Sequence, residues 1–453
     1  MPQKVPVNLK YLIVQLTVVC LMFTFLFISG KNWKLSLAEL IVYLQTNQIC
    51  FEIQHFTKKF FIIQTQQTLD PTIIKDLGGT IKIGQVMLTL PSQQTKEAYI
   101  KHNKQAEKQT SEALKQSSIV NEMIKHAKGK VFFGVSVYLE EDQIKARAGE
   151  IQRVLGSAIK DQLAERDKKA RFMGFANKLQ GQLSHVEVLK KELVENKSEI
   201  LLCIGEKTSW IATTMAVHNP FEFQKRDIYK PRQRKIFGMP PRLARIMVNL
   251  SSCTKDKTLL DAFCGVGTVL QEALLSKAHV IGTDINPWCI NATEENLKWL
   301  TQEYELPKAN YRVIQSDVEF LSRKIGRENI DNIVSEPDLG PALRQIPTTP
   351  YAKKIIDKLT PLFFEFIEES YKVLRTGGKL VVVTPYIITR SKQIVTMPIG
   401  EKAEDTNFVR VKPFSPEFFV KNITNTKTLT DIETLVEVDS RHLIGREIHV
   451  FRK

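Results

Sequence analysis

The carboxyl-terminal half of the sequence predicts an α/β fold built on a parallel sheet, and three observations carry that prediction. The first is the run LLDAFCGVGTVLQEAL, Leu259 to Leu274: an apolar strand closing on Asp261, a turn holding Gly265 and Gly267, then a helix. Small residues there let backbone N–H groups come close to a ligand, and the helix N-terminus adds a favourable dipole. The second is another apolar strand, HVIGTDI, ending in Asp284. It lies about 20 residues on, where an acid is placed to hold ribose hydroxyls. The third is the alternation that follows: YRVIQSDV with Asp317, IDNIVSEPDLG with Glu336, a helical stretch from Tyr351 to Leu374, then Gly377-Gly378 and KLVVVTP. Acidic or glycine-rich strand ends in register put a ligand at the carboxyl edge of a Rossmann-like sheet.

The turn does not complete a G-x-G-x-x-G pattern, because its third position is Leu270. A pyrophosphate seat is therefore not indicated, while an adenosine-containing cofactor is. The arrangement resembles the S-adenosylmethionine-dependent methyltransferases. That resemblance implies that Asp261, Ala262, Gly265 and Gly267 border the methionine part of S-adenosyl-L-methionine. Asp284 binds the ribose and Asp317 the adenine amine, with Thr268 and Ile285 as further cofactor-binding residues. Asp317 taken alone reads equally well as a helix N-cap. Cys264, inside the turn, reads as a small filler and not as a nucleophile.

Composition points to a polyanionic partner. Lys and Arg number 64 against 49 Asp and Glu, a net charge of +15. Such an excess favours nucleic acid or an anionic membrane surface. A chain of 453 residues predicts two or three domains. The six cysteines form no C-x-x-C pair, so neither a zinc site, nor any other metal, nor a disulfide framework is expected, and the cytoplasm is the expected compartment. Tyr11 to Ile28 is apolar enough to reach a membrane span. Two readings stay open: an anchor or signal segment, or a soluble domain starting near Met22 with FTFLFI (Phe23 to Ile28) as a buried strand. Residues 1–21 are then a hydrophobic extension of uncertain role.

From Phe23 onward the amino-terminal part predicts a small α+β unit with strands in ICFEIQHF, FFIIQT and TIKIGQVML. Ser36-Leu-Ala-Glu39 reads as a capping box opening a helix through Leu44. Ser92 to Lys130 is lysine-rich at helical spacing, and KVFFGVSVYL, Lys130 to Leu139, is a strand. A helix near Ala146 to Arg166 is followed by strands at Val186 to Leu189 and Glu199 to Ile204. Between Asn219 and Pro241 a boundary is marked by Pro220, Pro231, Pro240 and Pro241. Arg226, Lys230, Arg232, Arg234 and Lys235 concentrate charge there, either to contact RNA phosphates or simply to solvate a linker. The helix Arg242 to Leu250 then packs ahead of the cofactor strand.

This order of segments resembles the THUMP-domain tRNA methyltransferases that methylate N2 of guanine 10, over about Met22 to Lys453. LFISGKNWKLSLAEL, LGGTIKIGQV and KRDIYKPRQRKIFGMPPRLARIMVNLS carry the resemblance, the last most specifically. It implies a ferredoxin-like α+β domain at residues 22–91 and a THUMP domain at 92–218 that grips tRNA. A basic linker at 219–240 and a Rossmann-like methyltransferase domain at 241–453 complete the chain. Eukaryotic relatives also work with a small activator protein.

Chemistry is expected after the fourth strand, where the family reads D-P-P-Y-G and this chain reads Glu336-Pro337-Asp338-Leu339-Gly340. A guanine amino lone pair is delocalised into the ring. An acceptor must therefore take its N–H and orient the nitrogen toward the methyl, mostly a positioning task. A carboxylate can also accept the proton finally released. Glu336 keeps the carboxylate on a longer stem. Asp338 replaces a proline, and Leu339 replaces the aromatic platform for a flipped base, where stacking is worth roughly 1–3 kcal/mol. Tyr351 or Tyr386 are the replacements at hand. Three functions follow: a tRNA guanine N2-methyltransferase, an RNA methyltransferase of changed base specificity, or a catalytically weak tRNA-binding protein needing a partner.

Overall fold

The computed structural model describes residues 22–127, 129–141, 147–174, 181–234, 238–307, 310–414, 434–439 and 443–453. Residues 1–21 and Lys235, both named above, lie outside them. Among the described residues no helix is long and apolar enough to cross a membrane.

The first body runs β1 (Phe23–Ser29), α1 (Trp33–Thr46), β2 (Phe51–Phe56), β3 (Phe60–Thr65), β4 (Thr80–Pro91), α2 (Ser92–Tyr99), α3 (Lys104–Gln116) and α4 (Ile119–His126). It continues with β5 (Val131–Leu139), α5 (Ala148–Ala164), β6 (Ala170–Met173), α6 (His185–Lys190), β7 (Glu199–Ile204) and β8 (Thr208–Val217). Its strands form one sheet in the order β2-β3-β1-β4-β8-β7-β5-β6. The stretches 22–91 and 92–218 share this sheet through the long antiparallel pairing of β4 with β8. β1 is a continuous apolar run because both of its faces are covered. Phe25 and Phe27 pack with α1, while Leu26 and Ile28 pack against Phe60, Ile62 and Trp210.

The second body opens with α7 (Pro220–Ile228) and α8 (Pro241–Leu250). Then come β9 (Thr258–Asp261), α9 (Thr268–Leu275), β10 (His279–Asp284), α10 (Pro287–Glu303), β11 (Tyr311–Gln315), α11 (Leu321–Ile325) and β12 (Ile330–Ser335). Last are α12 (Thr349–Val373), β13 (Leu374–Ile388), β14 (Ile394–Thr396), α13 (Ile399–Asp405), β15 (Val409–Arg410), β16 (Leu435–Glu437) and β17 (Ile444–Arg452). The sheet order is β11-β10-β9-β12-β13-β17-β15, with β14 on β13 and β16 on β17. β11 to β13 are parallel, whereas β17 enters antiparallel beside β13. Strand order reverses on either side of β9, which opens the crevice where ligands of such sheets sit.

α1 lies on the first sheet, α8 on α1 and α9 on α8, so one apolar core runs through both bodies. At that joint the expected capping box is absent. Asn32 is the N-cap of α1, and Ser36 and Glu39 lie inside the helix, buried. Ser36 Oγ donates to the Gly79 carbonyl, and Glu39 accepts the N–H groups of Gly78 and Gly79. Ser36 Oγ is shared with the Asn32 carbonyl, while tertiary partners claim the Glu39 carboxylate.

Two further expectations are corrected. Val186 to Leu189 is helical within α6, opened by a true capping box between Ser184 and Glu187. Pro220 does not break structure but starts α7, its missing N–H costing nothing at the first helical position.

Candidate active site

The turn after β9 is built by backbone bonds. Cys264 N–H donates to the Thr283 carbonyl and Gly267 N–H to the Cys264 carbonyl. Gly265 (φ +55°) and Gly267 (φ +81°) take left-handed backbone. A Cβ on Gly267 would come within 3.0 Å of Thr293 Cγ2. Cys264 is buried and burial pushes its thiol well up, in keeping with a filler role.

Asp261 is buried at the end of β9. Its Oδ1 accepts from Ser335 Oγ at 2.9 Å, and Ser335 Oγ in turn accepts the Ala262 N–H at 2.9 Å. Ser335 thereby ties the ends of β9 and β12 together, a role the sequence did not signal. Burial pushes Asp261 up to about 7, opposed by the Ser335 and Phe263 bonds and reinforced by Asp284 and Glu336 nearby. Asp284, at the end of β10, accepts the N–H of Gly265 at 3.0 Å and of Asn286 at 2.9 Å, which fixes its carboxylate at the turn. Ile285 is 64% exposed beside it. Asp317 caps the short 3₁₀ turn Val318–Phe320, and Thr268 Oγ1 accepts from Lys230 Nζ at 3.0 Å.

A small cavity of about 50 Å³ is lined by Asp261, Gly265, Thr268, Arg234 and Glu336. Carboxylates converging on one turn suit a ligand with a sulfonium and an ammonium, and would repel a pyrophosphate. S-adenosylmethionine therefore fits the donor set, with Asp261, Asp284 and the two-glycine turn as the residues that would hold it.

Glu336 follows β12 directly. Both its oxygens are taken by one guanidinium: Arg446 Nε donates to Oε2 at 2.9 Å and Nη2 to Oε1 at 3.2 Å. Arg446 Nη1 also reaches Glu437 Oε2 at 3.1 Å. Burial raises the Glu336 pKa and Arg446 opposes the rise. Pro337 is buried, Asp338 is exposed and accepts the Gly340 N–H at 3.1 Å, and Leu339 packs against the core. Gly340 has φ +104°, and a Cβ there would meet Ile355 at 2.9 Å. Tyr386 lines a separate groove of about 890 Å³ between the two bodies, with Trp33, Arg242 and Glu437; Tyr351 is exposed at the start of α12.

The basic segment behaves differently from expectation. Arg226 is 4% exposed and its Nε donates to Glu272 Oε1 at 2.6 Å; Arg245 holds the same carboxylate from the other side. Lys230 is buried on Thr268. Neither is presented to a polyanion: α7 packs against α8, the Arg226 charge is met by Glu272, and the Lys230 ammonium is buried against the Thr268 hydroxyl. Arg232 is exposed and paired with Glu295, and Arg234 borders the cofactor cavity. A cationic groove missed by the sequence reading lies instead on the first body: Lys130, Arg153, Lys160 and Arg171 surround a cavity of about 490 Å³ beside Phe172. These cations come from the residue before β5, from α5 and from β6, so only folding collects them.

Strand order, glycine turn and acidic loop together define a Rossmann-like methyltransferase domain. Residues 231–408 match the RMKL-like methyltransferase domain family, and residues 92–295 match a DNA methylase family. The chain is similar to the tRNA (guanine(10)-N2)-dimethyltransferase of Methanothermobacter thermautotrophicus, 33% identical over 162 residues, covering 35% of this chain and 43% of that protein. The protein of the same name from Methanocaldococcus jannaschii is 34% identical over 152 residues, 32% of this chain and 41% of its own. The U6 snRNA (guanine-N(2))-methyltransferase THUMPD2 of Bos taurus is 26% identical over 153 residues, 33% of this chain and 26% of that protein. The chain thus spans less than half the length of these curated relatives. TrmN from Thermus thermophilus shares the fold, with a TM-score of 0.50 at 12% identity, over 96% of this chain and 100% of that one.

Proposed function

We propose that the chain transfers a methyl group from S-adenosyl-L-methionine to the exocyclic N2 of a guanine in tRNA, position 10 being the expected site. The observation that carries this reading is Glu336, an ionisable acceptor at the end of β12 lining the same cavity as Asp261 and the glycine turn. Bound there, the cofactor supplies an electrophilic methyl on sulfur. Asp261 and the turn face its cationic end, Asp284 and Ile285 the ribose, and Asp317 the adenine amine. Glu336 accepts an amine N–H and orients the nitrogen lone pair, a task of positioning more than of basicity.

The relatives' names support tRNA and N2 of guanine, and the cationic groove supports a phosphate backbone docked on the first body. Residues 22–91 and 92–218 are read as the ferredoxin-like and THUMP units of that docking platform. Leu339 stands in place of an aromatic, while Tyr386 lines the groove between the bodies and Tyr351 is exposed on α12, so neither tyrosine borders the Glu336 cavity.

The test is methyl transfer from labelled S-adenosylmethionine to unmodified tRNA transcripts, followed by nucleoside analysis. N2-methylguanosine that disappears when G10 is replaced supports the reading. Glu336→Ala should abolish turnover and keep tRNA affinity; unchanged turnover would remove Glu336 from the chemistry. A different methylated nucleoside would mean that the altered loop has changed base specificity.

A further inference from the structure

A glutamate has one more rotatable bond than an aspartate. A carboxylate that must receive one particular amine N–H cannot use that freedom, because each unfixed rotamer spreads the acceptor over several positions. The structure removes the freedom with a side chain from far along the sequence. Arg446 grips Glu336 through two parallel donors, Nε and Nη2, in the planar fork geometry that guanidinium and carboxylate share. The guanidinium is itself immobile: Arg446 is 4% exposed and its remaining terminal nitrogen is held by Glu437. Its backbone lies in β17, opposite Pro385 of β13 on one side and Glu437 of β16 on the other.

We propose that Arg446 is the positioning residue of methyl transfer, fixing the plane of the Glu336 carboxylate beside the cofactor turn and keeping it an acceptor. This rests on the functional reading above. A carboxylate offers about four lone-pair sites and the fork occupies two, so sites remain for a substrate amine. Without the fork, burial would favour the protonated acid, whose O–H donates where the amine needs an acceptor. Among the other charged groups around Glu336, Arg234 acts in the same direction by charge alone, with no bond to orient the carboxylate, Glu437 and Asp261 are like-charged, and Asp338 stands two residues on, exposed.

The experiment compares wild type with Arg446→Met and Arg446→Lys in the full chain. It follows the Glu336 carboxyl by carbon-13 titration and, separately, kcat against pH, KM for tRNA and the Kd of S-adenosylmethionine. Arg446→Lys keeps the charge and loses the fork, so it guards against a Met variant that fails to fold. The Glu336 carboxyl should titrate at clearly higher pH in Arg446→Met, and the acid limb of the kcat profile should move up with it. At pH 7 kcat should fall roughly 100-fold in Arg446→Met and about tenfold in Arg446→Lys. KM for tRNA and cofactor affinity should stay near wild type.

A folded variant that titrates and turns over like wild type overturns the proposal. So does a loss of kcat with no movement of the titration, which would make Arg446 merely structural. A wild-type chain that methylates no tRNA overturns the functional reading instead, and the titration distinguishes the two failures because it reads the clamp without turnover.

Discussion

Asn249 Nδ2 donates to Glu39 Oε1 at 2.7 Å, a bond between residues 210 apart in sequence. The same carboxylate accepts the N–H groups of Gly78 and Gly79 at 2.7 Å each. The three segments that carried the family resemblance meet here, so part of that signature records a joint between the two bodies. Glu39→Ala would orphan three buried donors and should cost roughly 2–5 kcal/mol, read by denaturant unfolding.

The joint is also pH-dependent. Burial pushes Glu39 up to about 7 from 4.5. Because the folded value exceeds the unfolded one, its stabilising contribution is complete below the unfolded pKa and is lost as pH rises through about 7. Glu39→Gln should therefore lose less stability than wild type between about pH 5 and pH 8. Parallel melting curves for the two proteins across that window would contradict the assignment.

Asp261, pushed up to about 7, links pH to cofactor binding. A cationic ligand favours its ionised form, so binding should release a proton and S-adenosylmethionine should bind more tightly as pH rises through about 7. Calorimetry in buffers of different ionisation heat measures that proton. In Asp261→Asn both the proton release and the slope should vanish.

Gly267 and Gly377 share a φ of +81° but not their surroundings. A Cβ on Gly267 would press on Thr293, whereas nothing lies within 4 Å of one on Gly377. Gly377→Ala should cost only the backbone strain, about 1–2 kcal/mol, and leave cofactor affinity alone. Gly267→Ala should lose that stability and cofactor affinity together. Equal effects on the cofactor would mean that the turn does not hold it.

Burial separates the cations by role. Arg226→Ala leaves the buried Glu272 to Arg245 alone and should destabilise by about 1–3 kcal/mol, while Arg232→Ala, at an exposed pair, should leave the melting temperature unchanged. Lys160→Glu and Arg171→Glu should instead weaken tRNA binding and lower its salt dependence by about one ion per lost cation. Salt slopes that respond to Arg232 and not to Lys160 would put the RNA on the other face.

The parallel sheet and its acidic strand ends were legible because burial writes itself as continuous apolar runs and ligand-facing ends as acids and glycines. Pairings at long range left no such mark. Arg446 lies 110 residues from Glu336, and nothing in GREIHVF tells a clamp from an edge-strand cation. Charge alone also misplaced Arg226 and Lys230, since a basic residue reads the same whether solvated or facing Glu272. The pattern S-x-x-E shows the limit most directly. At Ser184 and Glu187 it caps a helix, while at Ser36 and Glu39 it sits inside the helix and holds Gly78 and Gly79 ahead of β4, with Asn249 reaching Glu39 from the second body. The difference lies in what packs against each, which local sequence does not contain.

The ion pair between Arg226 of α7 and Glu272 of α9 sets where this protein can be cut. A second body excised at Pro241 would discard Arg226 and Lys230, leaving Glu272 with one of its two guanidinium partners and Thr268 without its ammonium. An excision at Asn219 keeps both. The stretch between the bodies thus acts as a splint fastened to the second body, and any transplant of that body onto another platform has to carry it along.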